Sequence, residues 1–264
     1  MTRSAHPRGL VTGAGHRLGR AMALYLAQRG HDVAVHYATS SEGADEVVAQ
    51  IKDMGRNAVA IQADLLDEDA TQALFGQAVE GLGGPITCLV NNASIFEYDT
   101  IHSATRDHWD KHMGSNLRAP FLLTQRMAAQ GLQADTDDNG EPVATGLIVN
   151  MVDQRVRKLT PEFMTYTLAK MGLWALTQTT ARALAPAIRV NAIGPGPTLQ
   201  GARQSDGHFA AQRAATILGR GANAADITAA LGYFLDAPAI TGQLLCVDGG
   251  QHLAWQTPDV QGVE

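Results

Sequence analysis

The chain has no surplus of basic residues. Its 20 lysines and arginines face 26 aspartates and glutamates, a formal net charge of -6, which leaves no basic stripe for nucleic acid or an anionic membrane. It has only two cysteines, Cys88 and Cys246. Both sit in apolar strand-like runs, so they read as small buried hydrophobes of a reducing compartment, neither a disulfide nor a metal pair. No stretch approaches the roughly 18 apolar residues of a membrane span. Met1 to Arg8 is short and polar with no apolar region behind it, so no secretory leader and a cytoplasmic protein are expected. The nine histidines lack ligand spacing, and no metal site is expected. No repeat and no second domain is visible, and aromatics are few at 5%.

What is there suits one large α/β domain over residues 1–264. The chain has 264 residues, 45% of them hydrophobic, and 27 glycines, enough for a well-buried core. A small molecule is the expected partner. The stretch from Asn150 to Lys170 carries the candidate chemistry. Tyr166 and Lys170 lie four residues apart in a helical pattern and share a face. An ammonium beside a phenol favours the phenolate, so Lys170 is expected to draw Tyr166 down from its ordinary value near ~10. Asp153 precedes Tyr166 by thirteen residues, at the end of the apolar run Gly146–Val152, which reads as a buried parallel strand. Such sheets place their ligands at strand ends.

Upstream, Gly9–Thr12 reads as a strand, Gly13–Gly19 as a glycine loop, and the residues from Ala21 as a helix. Glycines at 13, 15 and 19 permit a tight turn, backbone approach to a pyrophosphate, and packing of helix on strand. They equally suit a plain turn. The next strand, Asp32–Tyr37, ends without the acid that would meet a ribose 2′-hydroxyl. His36, Tyr37, Thr39 and Ser40, with Arg17 across the loop, offer donors for a 2′-phosphate instead. Arg17 as an ordinary surface residue is the alternative. A helix is expected over 41–54, strands over 58–63 and 86–90, and a long helix over about 105–131. Pro120 has no N–H for the Asn116 carbonyl, so that helix should kink and free the carbonyl. Residues 133–145 read as an acidic loop without chemistry. A strand over 188–193, a helix over 226–235 and a strand over 240–247 close the pattern.

Tyr-x-x-x-Lys with a polar residue thirteen positions earlier resembles the short-chain dehydrogenase/reductase family. Most members have serine where Asp153 stands; Asn-Met-Val-Asp resembles the pteridine reductase and dihydromonapterin reductase branch, as does Thr-Gly-x-x-x-Arg-x-Gly at residues 12–19. The resemblance covers about residues 9–250 and implies a Rossmann-type, doubly wound parallel sheet of about seven strands with helices on both faces. It implies NADP(H) along Gly13, Gly15, His16, Arg17, Leu18 and Gly19. Asp64, followed by Leu65, would meet the adenine, although Asp64 also reads as an N-cap for the helix beginning near Asp67. Thr39 stands where the branch has arginine. Asn92, Ala93 and Ser94 would line the cofactor floor, Pro195 and Gly196 would flank the nicotinamide, and Thr198 would meet its amide or the pyrophosphate. Tyr166, Lys170, Asp153 and Asn116 would be catalytic, with Asn116 holding a water on a proton path to Lys170. Ser94, Phe96, Leu199 and Arg17 would join Asp153 and Tyr166 around the substrate, Phe96 stacking a flat ring on the nicotinamide.

The same resemblance makes residues 199–221 a substrate lid and the protein a homotetramer packed through the helices of Asn116 and Tyr166. The tail 251–264 reads as a frayed terminus or as a cover for a neighbouring subunit's site. A pterin or dihydropterin is the expected substrate, because its reducible C=N bond needs a proton on nitrogen and its N–H groups suit a carboxylate. A reductase of another small carbonyl or enone compound is the rival reading, and an NADP-binding regulator without catalysis the next.

Overall fold

Most apolar runs become strands covered on both faces, and the last, Leu244–Val247 at the sheet edge, stays partly open, with Leu245 exposed. The computed structural model describes residues 6–200 and 205–255. It contains β1 (Arg8–Val11), β2 (Asp32–Tyr37), β3 (Ala58–Gln62), β4 (Cys88–Asn91), β5 (Gly146–Met151), β6 (Ile188–Pro195) and β7 (Leu244–Val247). They pair in the order β3-β2-β1-β4-β5-β6-β7, all parallel. Successive side chains alternate between two cores, as a pleated strand requires. Leu10, Ala34, Leu89 and Ile148 belong to one core, and Val11, Val33, Val35, Val90 and Val149 to the other. Leu10 lies in register between Ala34 and Leu89, so β1 is central. The winding reverses beside it, and that reversal opens a crevice at the carboxyl ends of the strands.

Helices α1 (Arg17–Gln28), α2 (Ser41–Asp53) and α8 (Ala224–Asp236) supply Met22, Leu26, Val47, Ile51 and Phe234 to the core containing Val11. Helices α3 (Glu68–Leu82), α5 (Ala119–Ala128) and α6 (Met164–Ala183) supply Leu74, Phe75, Leu123, Met127 and Ala181 to the other. Helices α4 (Arg106–Met113) and α7 (Asp206–Ala214) complete the set. Cys88 and Cys246 are free thiols, and burial pushes them up to about 12 and about 11.

Several local expectations change. Asp67, not Asp64, caps α3 by accepting from the Ala70 N–H, while Asp64 accepts from the Leu66 N–H in the turn before it. The expected kink at Pro120 takes the form of a widened turn. Residues Gly114–Arg118 are π-helical between α4 and α5, and the Ala119 N–H reaches the Gly114 carbonyl five residues back. The chain thereby stays helical past the missing proline donor. Within the supposed loop 133–145, Asp135–Thr136 and Pro142–Val143 form a small antiparallel hairpin. The final strand is shorter than expected because Gly242 turns the backbone at φ 69 before Leu244. No helix among the described residues is long and apolar enough to cross a membrane.

Candidate functional site

The glycine loop and the ends of β2, β3 and β4 enclose a groove of about 340 Å³. Gly13 makes the turn at φ 62, and a Cβ on Gly19 would lie 2.1 Å from the Gly13 carbonyl. Gly19 thus lets α1 start against the loop. A Cβ on Gly15 would press on the Ser40 carbonyl at 3.0 Å, so that glycine serves the approach of α2. Leu18, Tyr37, Asp64 and Leu65 also line the groove, and His16, Thr39 and Ser40 bring it polar groups. No carboxylate stands at the end of β2. A phosphorylated ribose therefore fits better than a free one.

Two expected phosphate donors are engaged elsewhere. His36 is buried; its Nδ1 accepts from the Gly13 N–H at 3.0 Å and its Nε2 donates to the Ala63 carbonyl at 3.1 Å. Burial lowers its pKa, so it is a neutral strut between the glycine loop and β3. Arg17 adopts a left-handed backbone, φ 54, uncommon for a residue with a Cβ. That turn sends its guanidinium across the cleft, where it donates to the carbonyls of Leu199 at 3.0 Å and Gln200 at 2.7 Å.

The floor is tied by amides and hydroxyls. The Asn92 side chain donates to the Thr12 and Gly13 carbonyls, and the Thr12 hydroxyl accepts from the N–H groups of Asn92 and Ala93. Asn91 donates to the Asn150 side chain, which donates to Thr177 on α6. Thr12, Asn150 and Thr177 had no assigned role in the sequence reading, although each belongs to a run it had placed, whereas the Asn91 amide was expected to tie neighbouring strands, as it does. Asn116 lies outside the lining of both groove and cleft. Its side chain donates to the Ile95 carbonyl at 2.8 Å and accepts from the Ile95 N–H at 2.9 Å, so it fixes the residue before Phe96.

Beyond Arg17, Leu18, Asn92 and Ser94, which line both spaces, the groove continues into a cleft of about 770 Å³. Asp153 leaves β5 as the cap of a short 3₁₀ turn: its Oδ1 accepts from the Arg155 N–H, and its Oδ2 accepts from the Tyr166 hydroxyl at 2.9 Å. Burial raises the Asp153 carboxyl. Tyr166 is pushed well up by burial and then by the Asp153 charge, so it rests as a phenol that donates to Asp153. This corrects the expected lysine-primed phenolate. Lys170 holds its Nζ against the Met151 carbonyl at 2.7 Å and 5.7 Å from the Tyr166 ring centre, and burial lowers it to about 8.

An aromatic wall rises beside this trio. Phe96 stacks on Phe163 with centroids 4.3 Å apart and planes 6° from parallel, and meets Tyr166 edge-on at 4.7 Å. Tyr98 meets Phe163 edge-on, and the Arg155 guanidinium lies 4.7 Å from the Phe163 centre. Phe163, Tyr98 and Arg155 escaped the sequence reading. Phe163 sits at φ 54 just before α6, a conformation that no periodicity signals. Pro195, Gly196, Thr198, Leu199 and His208 close the far side, with Gln251 from the start of the tail. Thr198 donates to the Gly196 carbonyl, and a Cβ on Gly196 would strike Asp248 at 2.5 Å. Of the expected lid, residues 201–204 lie outside the described residues, as do 256–264 of the tail. The remainder carries α7, where Arg213 donates to the carbonyls of Pro197, Gly221 and Ala222.

Comparison with known proteins gives consistent likenesses. A family model described as Enoyl-(Acyl carrier protein) reductase matches residues 13–252. The 3-oxoacyl-(acyl-carrier-protein) reductase FabG of Staphylococcus aureus is 33% identical over 258 residues, 96% of this chain and 99% of that protein. FolM alternative dihydrofolate reductase 1 from Brucella suis, in complex with NADP, is 42% identical with a TM-score of 0.88, covering 96% of this chain and 98% of that one. A short chain dehydrogenase from Burkholderia cenocepacia, in complex with NADP, is 33% identical with a TM-score of 0.83 over 93% of this chain and 97% of its own.

Proposed function

This chain belongs to the short-chain dehydrogenase/reductase family, and we propose that within it the protein is a dihydropterin reductase. It is an NADP-dependent oxidoreductase with the family's parallel sheet. The narrower reading is carried by one observation: at the foot of an aromatic-walled cleft a carboxyl group, Asp153, accepts from the Tyr166 hydroxyl at 2.9 Å. A carboxylate accepts from the ring N–H and amino groups of a pterin, whereas a carbonyl reductase is better served by a neutral donor to an oxyanion. The likeness to FolM supports this reading. The likeness to FabG favours a second one, reduction of a ketone, which would keep Tyr166 and Lys170 and have less use for Asp153.

Bound NADPH would supply the hydride. The cofactor would lie along the glycine loop and Asn92–Ser94, with His16, Thr39 and Ser40 near the 2′-phosphate and Lys170 at the nicotinamide ribose. The Tyr166–Asp153 pair would hold one exchangeable proton between Oη and Oδ2 and release it to the substrate nitrogen as the adjacent carbon takes hydride. A C=N bond would thereby become CH–NH. Burial suits Asp153 to this work, since a raised carboxyl shares a proton more readily near neutral pH. Asn116 would act by holding Ile95, and through it Phe96, in place. We further propose one NADP-binding domain over the whole chain and a cytoplasmic homotetramer.

The test is NADPH consumption with dihydrobiopterin, dihydrofolate and simple ketones, for the wild type and Asp153→Ser. The pterin-to-ketone ratio of kcat/KM is expected to fall about 100-fold or more in the variant. Were ketones the better substrates of the wild type and that ratio unchanged by the substitution, carbonyl reduction would replace this reading.

A further inference from the structure

Two guanidiniums line the cleft, and Arg155 is the one whose N–H groups are not spent on backbone carbonyls. Arg155 follows Asp153 on the 3₁₀ turn, and its Nη1 donates to the Thr160 hydroxyl at 2.7 Å while its Cζ lies 4.7 Å from the Phe163 ring centre. These two contacts hold a long side chain half-buried at a fixed place in the cleft wall. Among the described residues it forms no ion pair with any carboxylate. Elsewhere Arg29, Arg118 and Arg220 meet acids, and Arg17 and Arg213 are taken up by backbone carbonyls. The nearby Asp153 feels the Arg155 charge without contacting its guanidinium, since one oxygen is on the Arg155 backbone N–H and the other on Tyr166. Glu162 also lines the cleft and is likewise unpaired with Arg155.

A guanidinium has five N–H donors in a planar fork, and Thr160 engages one of its nitrogens. The remaining donors match the two oxygens of a carboxylate or a phosphate, the partner such a fork binds in bidentate fashion. Phe163 links this charge to the rest of the cleft, since it touches the guanidinium and stacks on Phe96, which in turn meets Tyr166. A flat ring at Tyr166 and an acidic group at Arg155 are thus the two ends of one surface.

We propose that Arg155 is an anion anchor, so that the preferred substrate is a flat heterocycle bearing a carboxylate or phosphate on its side chain. The assignment deepens the dihydropterin reading and rests on it for the ring, but the anchor has its own test. Dihydrofolate, which carries glutamyl carboxylates, and dihydrobiopterin, which carries none, share the reducible ring; dihydroneopterin phosphate supplies the phosphate arm. Arg155→Gln should reduce the acid-to-neutral ratio of kcat/KM about ten- to hundredfold, mostly through KM. Arg155→Lys should restore part of it. In the unmodified protein, added salt should raise KM for the acidic substrates more than for dihydrobiopterin, a readout that needs no variant to fold.

An equal fall for all three substrates would make Arg155 a mere prop for Phe163 and overturn the anchor, as would a salt response shared by acidic and neutral substrates. Preference for dihydrofolate alone, or for the phosphate alone, would name the acid. If no dihydropterin turns over, the ring reading fails, and acetoacetate against its methyl ester takes over as the test. A preference for the acid that Arg155→Gln abolishes would then uphold the anchor by itself; no preference would sink it.

Discussion

Lys170 carries its ammonium where water scarcely reaches, at 2% exposure, against the Met151 carbonyl. Burial lowers it to about 8, with the Asp153 charge opposing the fall. The folded-state value thus lies below that of the free side chain. Folding is penalised while the group must stay charged, fully so below about pH 8, and the penalty fades as pH rises toward the free value of roughly 10.4. For activity the sign is opposite, because the ammonium is the useful form. The pH profile of kcat/KM is expected to fall above pH about 8, and Lys170→Met to be poorly active with that limb missing. That Tyr166 and Lys170 share a helical face was legible from their spacing. The direction of the Tyr166 shift was not, because it depends on burial and on Asp153, which arrive from another strand.

At the scale of the element, α6 begins without a cap of its own, since Phe163 has no side chain that can accept from the first turn. The cap comes from Asp99, buried in the preceding loop. Its backbone carbonyl accepts from the Phe163 N–H at 2.8 Å, and its carboxylate accepts from the Thr165 N–H and hydroxyl. His112 accepts from the Glu97 N–H on Nε2, so its Nδ1 donates to the same Thr165 hydroxyl at 2.7 Å. One hydroxyl therefore serves a buried imidazole and a buried carboxylate directly beside Tyr166. Thr165→Val keeps the shape and strands both partners, and is expected to cost about 2 to 4 kcal/mol in urea unfolding. The strands were legible because apolar runs dominate them. The hairpin at 135–143 and helix α7 were not, since both are short and exposed and neither has a buried face to impose a period.

For the whole molecule, the surface retains large apolar side chains on the two helices that the family resemblance singles out. Trp109 on α4 is 44% exposed and Leu168 on α6 is 45% exposed, and Ile101 lies outside them at 70%. Such side chains suit burial between copies of the chain. Sedimentation is expected to give a tetramer that Leu168→Glu splits into smaller species. The doubly wound order was legible because the strand-to-helix alternation covers almost the whole chain. What the order does not state is which loop residues converge across it, as Phe96 does with Arg155 and Phe163 from two separate loops.

Arg17 bears on the kinetics of such a molecule. One side chain borders the nucleotide groove and also holds the Leu199 and Gln200 carbonyls at the threshold of the substrate cleft. Two compartments that share a doorpost are not filled independently. A dinucleotide in the groove would abut the side chain that holds those two carbonyls, so nucleotide-first arrival is the outcome expected of product-inhibition kinetics.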